Sequence, residues 1–151
     1  MLNKDIEAIA GGFEFPEGPC FDAEGRCHLV EMQSGWITRI GPAGKVDRLF
    51  NTGGSPNGLA IDRAGAMWIA EAGLGKLMRY AAGALSEVAG EWDGQPLQKP
   101  NDLVFHPGGA IYMTGPGGSN ADTPVGVIYR IEPGGALEIV AEGMRFPNGL
   151  V

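Results

Sequence analysis

The chain has 151 residues, the length of one ordinary domain, with 11 basic and 18 acidic residues and a net charge of −7. No cluster of Lys or Arg appears, which excludes the usual footprint of a nucleic-acid partner. No apolar run reaches the roughly 18 residues of a membrane span, and Met1-Leu2-Asn3-Lys4-Asp5 lacks the basic-then-apolar layout of a signal peptide, so the expected location is cytoplasmic with no membrane partner.

In chain order, Ile6-Glu7-Ala8-Ile9-Ala10 reads as a strand and precedes Phe15-Pro16-Glu17-Gly18. That phrase returns as Ser55-Pro56-Asn57-Gly58, Lys99-Pro100-Asn101-Asp102 and Phe146-Pro147-Asn148-Gly149, with 40, 44 and 47 residues between successive prolines. Behind each of the first three phrases come a short apolar run, a polar or glycine-bearing turn and a second apolar run. The turns are Asp22-Ala23-Glu24-Gly25, Asp62-Arg63-Ala64-Gly65 and His106-Pro107-Gly108-Gly109. A second strand pair follows in each unit, as in Trp36-Ile37-Thr38-Arg39-Ile40 before Val46-Asp47-Arg48-Leu49-Phe50, where Arg alternates with apolar neighbours.

Four strands per unit at this period predict an all-β fold, a β-propeller with one blade per repeat. The units are 15–54, 55–98 and 99–145, with the start of a fourth blade at 146–151. Residues 1–14 read as the outer strand of a last blade that the chain does not contain. Closed propellers have about four to eight blades, so three point to a piece of a larger ring. The competing reading has a second copy closing the circle, although each copy would then carry a surplus strand at its start and a stub at its end.

The four-residue turn sets Cys20 opposite Cys27. A disulfide there requires favourable geometry, and two small thiols in a reducing compartment are the plainer account. His106 stands where other turns have Asp22 and Asp62, and His28 lies in a strand with no visible acidic partner. Trp36, Trp68, Trp92, Tyr80 and Tyr129 read as packing between blades. No Gly-x-Ser-x-Gly elbow occurs.

In a propeller, equivalent innermost positions converge on one axis, so the repeat gathers oxygen-bearing side chains. Glu17, Asn101 and Asn148 offer one carboxylate and two amide oxygens, donors suited to a hard divalent cation. Asn57 occupies the matching place in the second blade and reads equally as a turn residue.

The phrases Phe15-Pro16-Glu17-Gly18-Pro19, Lys99-Pro100-Asn101-Asp102-Leu103 and Phe146-Pro147-Asn148-Gly149-Leu150 resemble those of the regucalcin/gluconolactonase (SMP-30/gluconolactonase/LRE-like) family of six-bladed propellers. The resemblance runs from about Phe13 onward, as in an N-terminal partial chain. It implies a divalent-metal-dependent lactonase that opens a sugar-type lactone to a hydroxy acid, with calcium, zinc, magnesium or manganese as cofactor. Glu17 and Asn148 would hold the ion, and Asn101 would approach the ion or the substrate. Asp102 would orient Asn101 or a water as a weak catalytic candidate, against a plain turn-capping role. Lys99 and Glu71 would face the substrate, although they and Glu31 also read as surface charges.

The family's aspartate, a further metal ligand and the assigned base, would lie beyond Val151. Thr114-Gly115-Pro116 stands where relatives often carry an acidic residue. A chain ending here would show little or no catalysis. The alternatives are a non-catalytic binding or assembly module and a related metal-dependent hydrolase of aryl esters or organophosphates.

Overall fold

The structure is a computed structural model and describes residues 6–151. The first sheet is antiparallel, with β1 (Pro16–Phe21), β2 (Cys27–Glu31), β3 (Trp36–Ile40) and β4 (Val46–Asn51) in sequential order. The second repeats the plan with β5 (Pro56–Ile61), β6 (Met67–Glu71), β7 (Lys76–Ala81) and β8 (Ala84–Ala89). A small hairpin, β9 (Glu91–Trp92) with β10 (Gln95–Pro96), then leads to the third sheet. That sheet holds β11 (Leu103–Phe105), β12 (Ile111–Gly115), β13 (Gly126–Ile131) and β14 (Leu137–Met144). These are three four-stranded propeller blades, all-β apart from a 3-10 turn at Pro42–Gly44. Among the described residues no helix is long and apolar enough to cross a membrane.

The unequal repeat lengths have structural causes. The extra hairpin β9 and β10 lengthens the second unit, and a loop over residues 116–125 between β12 and β13 lengthens the third. The strand expected over residues 6–10 has no assigned pairing, and Ile6 and Ile9 are exposed.

Two apolar seams hold the blades face to face. Val30 and Ile37 of the first blade pack with Leu59, Ile69 and Met78 of the second. Ala70 and Leu77 of the second pack with Leu103, Met113, Tyr129 and Ile131 of the third. Each fully buried large side chain contributes about 1.5–3 kcal/mol, so the seams rather than any single strand pairing keep the repeats in order. Aromatic pairs extend them: Phe50 stacks on Tyr80 with centroids 3.8 Å apart, and Trp68 meets Phe105 edge-on at 5.8 Å. Trp92 departs from the expected packing role, lying exposed on the small hairpin.

The first hairpin also differs from its expected register. Cys20 pairs with His28 and Phe21 with Cys27. The turn spans five residues, closed by Asp22 N–H donating to Arg26 C=O at 3.1 Å, and Asp22 Oδ1 accepts from the N–H groups of Glu24 and Arg26. Because side chains alternate between faces, the two thiols point to opposite sides of the sheet, and both are unbonded.

Candidate functional site

Each repeat phrase enters its blade at the innermost strand. In three of the four, the residue before proline takes a left-handed conformation: Phe15 at φ 60°, Lys99 at φ 47° and Phe146 at φ 52°. Non-glycine residues seldom adopt it, and it persists only where the surroundings impose it. Ser55, before Asn57, does not share it. The same backbone device thus precedes Glu17, Asn101 and Asn148 and is missing before Asn57.

The inner strands are irregular at the same points. The pairing of β1 with β2 shifts between Glu17 and Cys20, and that of β5 with β6 shifts between Pro56 and Gly58. Such bulges re-aim a side chain out of the regular ladder. The glycine that follows lets neighbouring strands touch. A Cβ on Gly18 would lie 2.7 Å from Leu59 N, and one on Gly58 would lie 2.6 Å from Asn101 O.

The inner strands enclose a cavity of about 560 Å³ lined by Glu17, Asn57, Asn101, Asp102 and Asn148 above an apolar wall that includes Leu59, Leu103 and Phe105. Asn101 is buried, Glu17 and Asn57 are half-buried and Asn148 is exposed. No hydrogen bond ties the side chain of any of these four to another described residue. The donor set is one carboxylate and neutral amides, with the Asp102 carboxylate beside them. Among the described residues no three His, Cys, Asp or Glu side chains gather as a metal cluster. Oxygen donors left free at one concave site fit a hard cation.

Each phrase is tethered by an acceptor on a buried residue. In the first blade, Glu14 N–H donates to Glu31 Oε2 at 3.1 Å. In the second, Ser55 and Gly73 N–H both donate to Glu71 Oε1. In the third, Gln98 N–H donates to the Tyr129 hydroxyl at 2.9 Å. In the fourth, Phe146 N–H donates to Ser119 Oγ at 2.9 Å.

Glu31 and Glu71 are therefore not surface charges; both are completely buried. Arg48 reaches both Glu31 oxygens, at 2.9 and 2.8 Å, and Thr38 donates to Oε1 at 2.7 Å. The Arg48 bonds first, then those of Thr38 and Glu14 N–H, hold the Glu31 carboxyl down at about 2 despite burial. Glu71 lies outside the cavity lining, as does the exposed Lys99. Asp102 does line the cavity, and its oxygens accept backbone bonds, Oδ1 from Leu103 N–H at 2.9 Å and Oδ2 from Leu150 N–H at 3.0 Å.

His28 does have an acidic partner, contrary to the sequence reading: Nε2 lies 2.9 Å from Asp22 Oδ2, and the ring is buried. Burial raises the Asp22 pKa, but hydrogen bonds from His28 and Arg26 outweigh it and hold the carboxyl below the usual carboxylate range. The pair is structural, because Trp68 Nε1 donates to Asp62 Oδ2 at the matching place in the second blade. His106 takes the turn role expected of it, accepting Gly108 N–H at Nδ1. Cys20 lines the cavity, but burial first, then the nearby Cys27 and Asp22, push its thiol up to about 12, leaving no thiolate for nucleophilic work.

Sequence reasoning missed Ser119 and Tyr129 as tethers. The only signal for Tyr129 was indirect: Gly115 sits where the first two blades have Glu31 and Glu71.

Comparison with known proteins finds relatives of this chain. Residues 15–151 match the SMP-30/Gluconolactonase/LRE-like region. A gluconolactonase from Zymomonas mobilis subsp. mobilis is 28% identical over 99% of this chain and 49% of its own length. A diisopropyl-fluorophosphatase from Loligo vulgaris is 29% identical over 99% of this chain and 54% of its own. The chain thus spans about half the length of the curated relatives it matches. Among solved structures, a gluconolactonase from Xanthomonas campestris superposes with a TM-score of 0.76 at 24% identity, over 86% of this chain and 48% of that one. At that identity the superposition supports the propeller fold alone.

Proposed function

Because the chain belongs to the SMP-30/Gluconolactonase/LRE-like family, we propose that its axial cavity contributes to the active site of a divalent-metal-dependent lactonase that opens a sugar-type lactone to a hydroxy acid. The observation that carries this reading is the delivery of Glu17, Asn101 and Asn148 to one cavity with their side-chain oxygens free of protein hydrogen bonds. The strained residue before each proline supports the same three over Asn57.

Glu17, Asn101 and Asn148 would hold the ion, with calcium, zinc, magnesium or manganese as candidates. A divalent cation held there supplies Lewis acidity toward a carbonyl oxygen. The residues of this chain do the rest of the work available to them. Glu17 provides the single charge among the three donors, the amides of Asn101 and Asn148 orient without adding charge, and the apolar wall limits bulk water. Asp102, whose oxygens accept the Leu103 and Leu150 N–H groups, would position backbone beside these donors.

A second reading, hydrolysis of a phosphorus ester at the same site, draws support from the Loligo relative, whose identity equals that of the gluconolactonase within one per cent. A non-catalytic module has no comparable support.

The test is thermal unfolding against calcium, magnesium, manganese and zinc. At an ion concentration about one hundred times Kd, binding adds about 2.7 kcal/mol, which raises Tm by about 5–10 °C at this size. Glu17→Gln should abolish most of the rise. Hydrolysis of gluconolactone and of diisopropyl fluorophosphate, assayed side by side with and without chelator on a longer reading frame that supplies the remaining blades, separates the substrate readings. A rate unchanged by chelation would end the metal proposal.

A further inference from the structure

Asn148 sits at the edge of the described architecture. Residues 146–150 carry no strand pairing, and Asn148 is exposed. Yet this phrase is held on both sides, and by the third blade. Phe146 N–H donates to Ser119 Oγ at 2.9 Å, and Leu150 N–H donates to Asp102 Oδ2 at 3.0 Å. The two anchors lie two residues before and two residues after Asn148.

Both anchors are themselves fixed. Ser119 is 4% exposed and its own N–H donates to Pro116 C=O at 2.9 Å, which closes the turn that presents it. The second oxygen of Asp102 accepts Leu103 N–H, which ties the carboxylate to the start of β11. Pro147 is buried against Gly126, where no side chain would fit.

The two earlier junctions work differently. There Gly18 and Gly58 let adjacent inner strands touch directly. At the third junction the matching residue is Asp102, whose carboxylate reaches the 146–150 segment and takes up the Leu150 N–H. A charged acceptor makes a stronger backbone hydrogen bond than a neutral one.

We infer that Ser119 and Asp102 are positioning residues that fix the Asn148 amide in the axial cavity, so that the third blade sets the geometry of this donor. The consequence for ion affinity rests on the metal reading above; the positional claim is measurable without an ion.

The experiment uses the 151-residue chain labelled with ¹⁵N. Hydrogen exchange at the Phe146 and Leu150 amides and the Asn148 side-chain NH₂ resonances are followed without metal, and terbium(III) luminescence then reports affinity for a hard cation. Asp102→Ala should speed exchange at Leu150 at least about tenfold and Ser119→Ala should do so at Phe146. Each should move or broaden the Asn148 NH₂ resonances and weaken terbium binding about tenfold. Ser119→Thr, which keeps the oxygen, should restore both readouts. Asn148→Ala should weaken terbium binding while leaving exchange at Phe146 and Leu150 slow.

Unchanged Asn148 resonances in both alanine variants overturn the inference, as does terbium affinity that falls in Asn148→Ala but in neither anchor variant. A parent chain that takes up no terbium sinks the metal reading alone, and the Asn148 resonances then decide the positional claim. If Asp102→Ala fails to fold, Asp102→Asn, which retains one acceptor oxygen, and the Ser119 pair carry the decision.

Discussion

The first and third blades tether the chain running into their inner strands by different chemistry. In the first, a fully buried carboxylate, Glu31, takes the Glu14 N–H and is compensated by the Arg48 fork and Thr38. In the third, Gly115 replaces that carboxylate, because a Cβ there would lie 2.7 Å from the Tyr129 ring. The Tyr129 hydroxyl does the accepting instead. The second blade stands between them: Glu71 keeps the tether, but Met78 stands where the first blade has Thr38, and Oε2 has no partner. What the repeat retains is a buried acceptor at one point in space, by whichever side chain reaches it. One solution depends on charge and pH, and the other on aromatic packing.

The comparison is broken most strongly at Arg48. Arg48→Met leaves the buried Glu31 carboxylate without its countercharge, and urea unfolding should show the largest loss of stability among these variants. The loss should depend on pH. Glu31 is held at about 2 in the fold against an ordinary 4.5, a depressed pKa. Its contribution is therefore complete above pH 4.5 and disappears as pH falls through 2. The difference between parent and Arg48→Met should shrink over that window; a constant difference would show that Glu31 is not the partner that matters.

Gly115→Ala tests the third blade by overpacking, since the methyl would meet the Tyr129 ring and Gln98 C=O. About 2 kcal/mol should be lost in the same unfolding measurement, and no dependence on acid should accompany it. Tyr129→Phe is the mildest change. It removes only the hydroxyl, at a cost of about 1 kcal/mol, with faster hydrogen exchange at the Gln98 amide as its local signature. Slow exchange at Gln98 in that variant would mean that the tether is held by packing rather than by the hydroxyl.

Much of this architecture is legible in the chain. The first three Pro-centred phrases locate the inner strands, and the Asp22, Asp62 and His106 turns locate the first hairpins, because turn chemistry acts within a few residues. The gathering of Glu17, Asn57, Asn101 and Asn148 follows from the repeat, since equivalent positions on blades share one axis. Other features resist reading for identifiable reasons. The one-residue difference in the Cys20 register depends on whether the turn closes on four or five residues, which Asp22 decides with its backbone bonds. His28 looks unpaired because Asp22 is six residues away and becomes a neighbour only when the hairpin folds.

Local order in the amino acids was enough for blade count, inner-strand placement and the supply of oxygen donors, because period and turn propensity are short-range. Which side chains steady those donors was decided only in three dimensions. Arg48 and Glu31 are 17 positions apart, Tyr129 and Gln98 are 31 apart, and Leu150 and Asp102 are 48 apart. Such acceptors are chosen by proximity after the blades pack, and the desolvated backbone N–H that each one satisfies exists only in the folded chain.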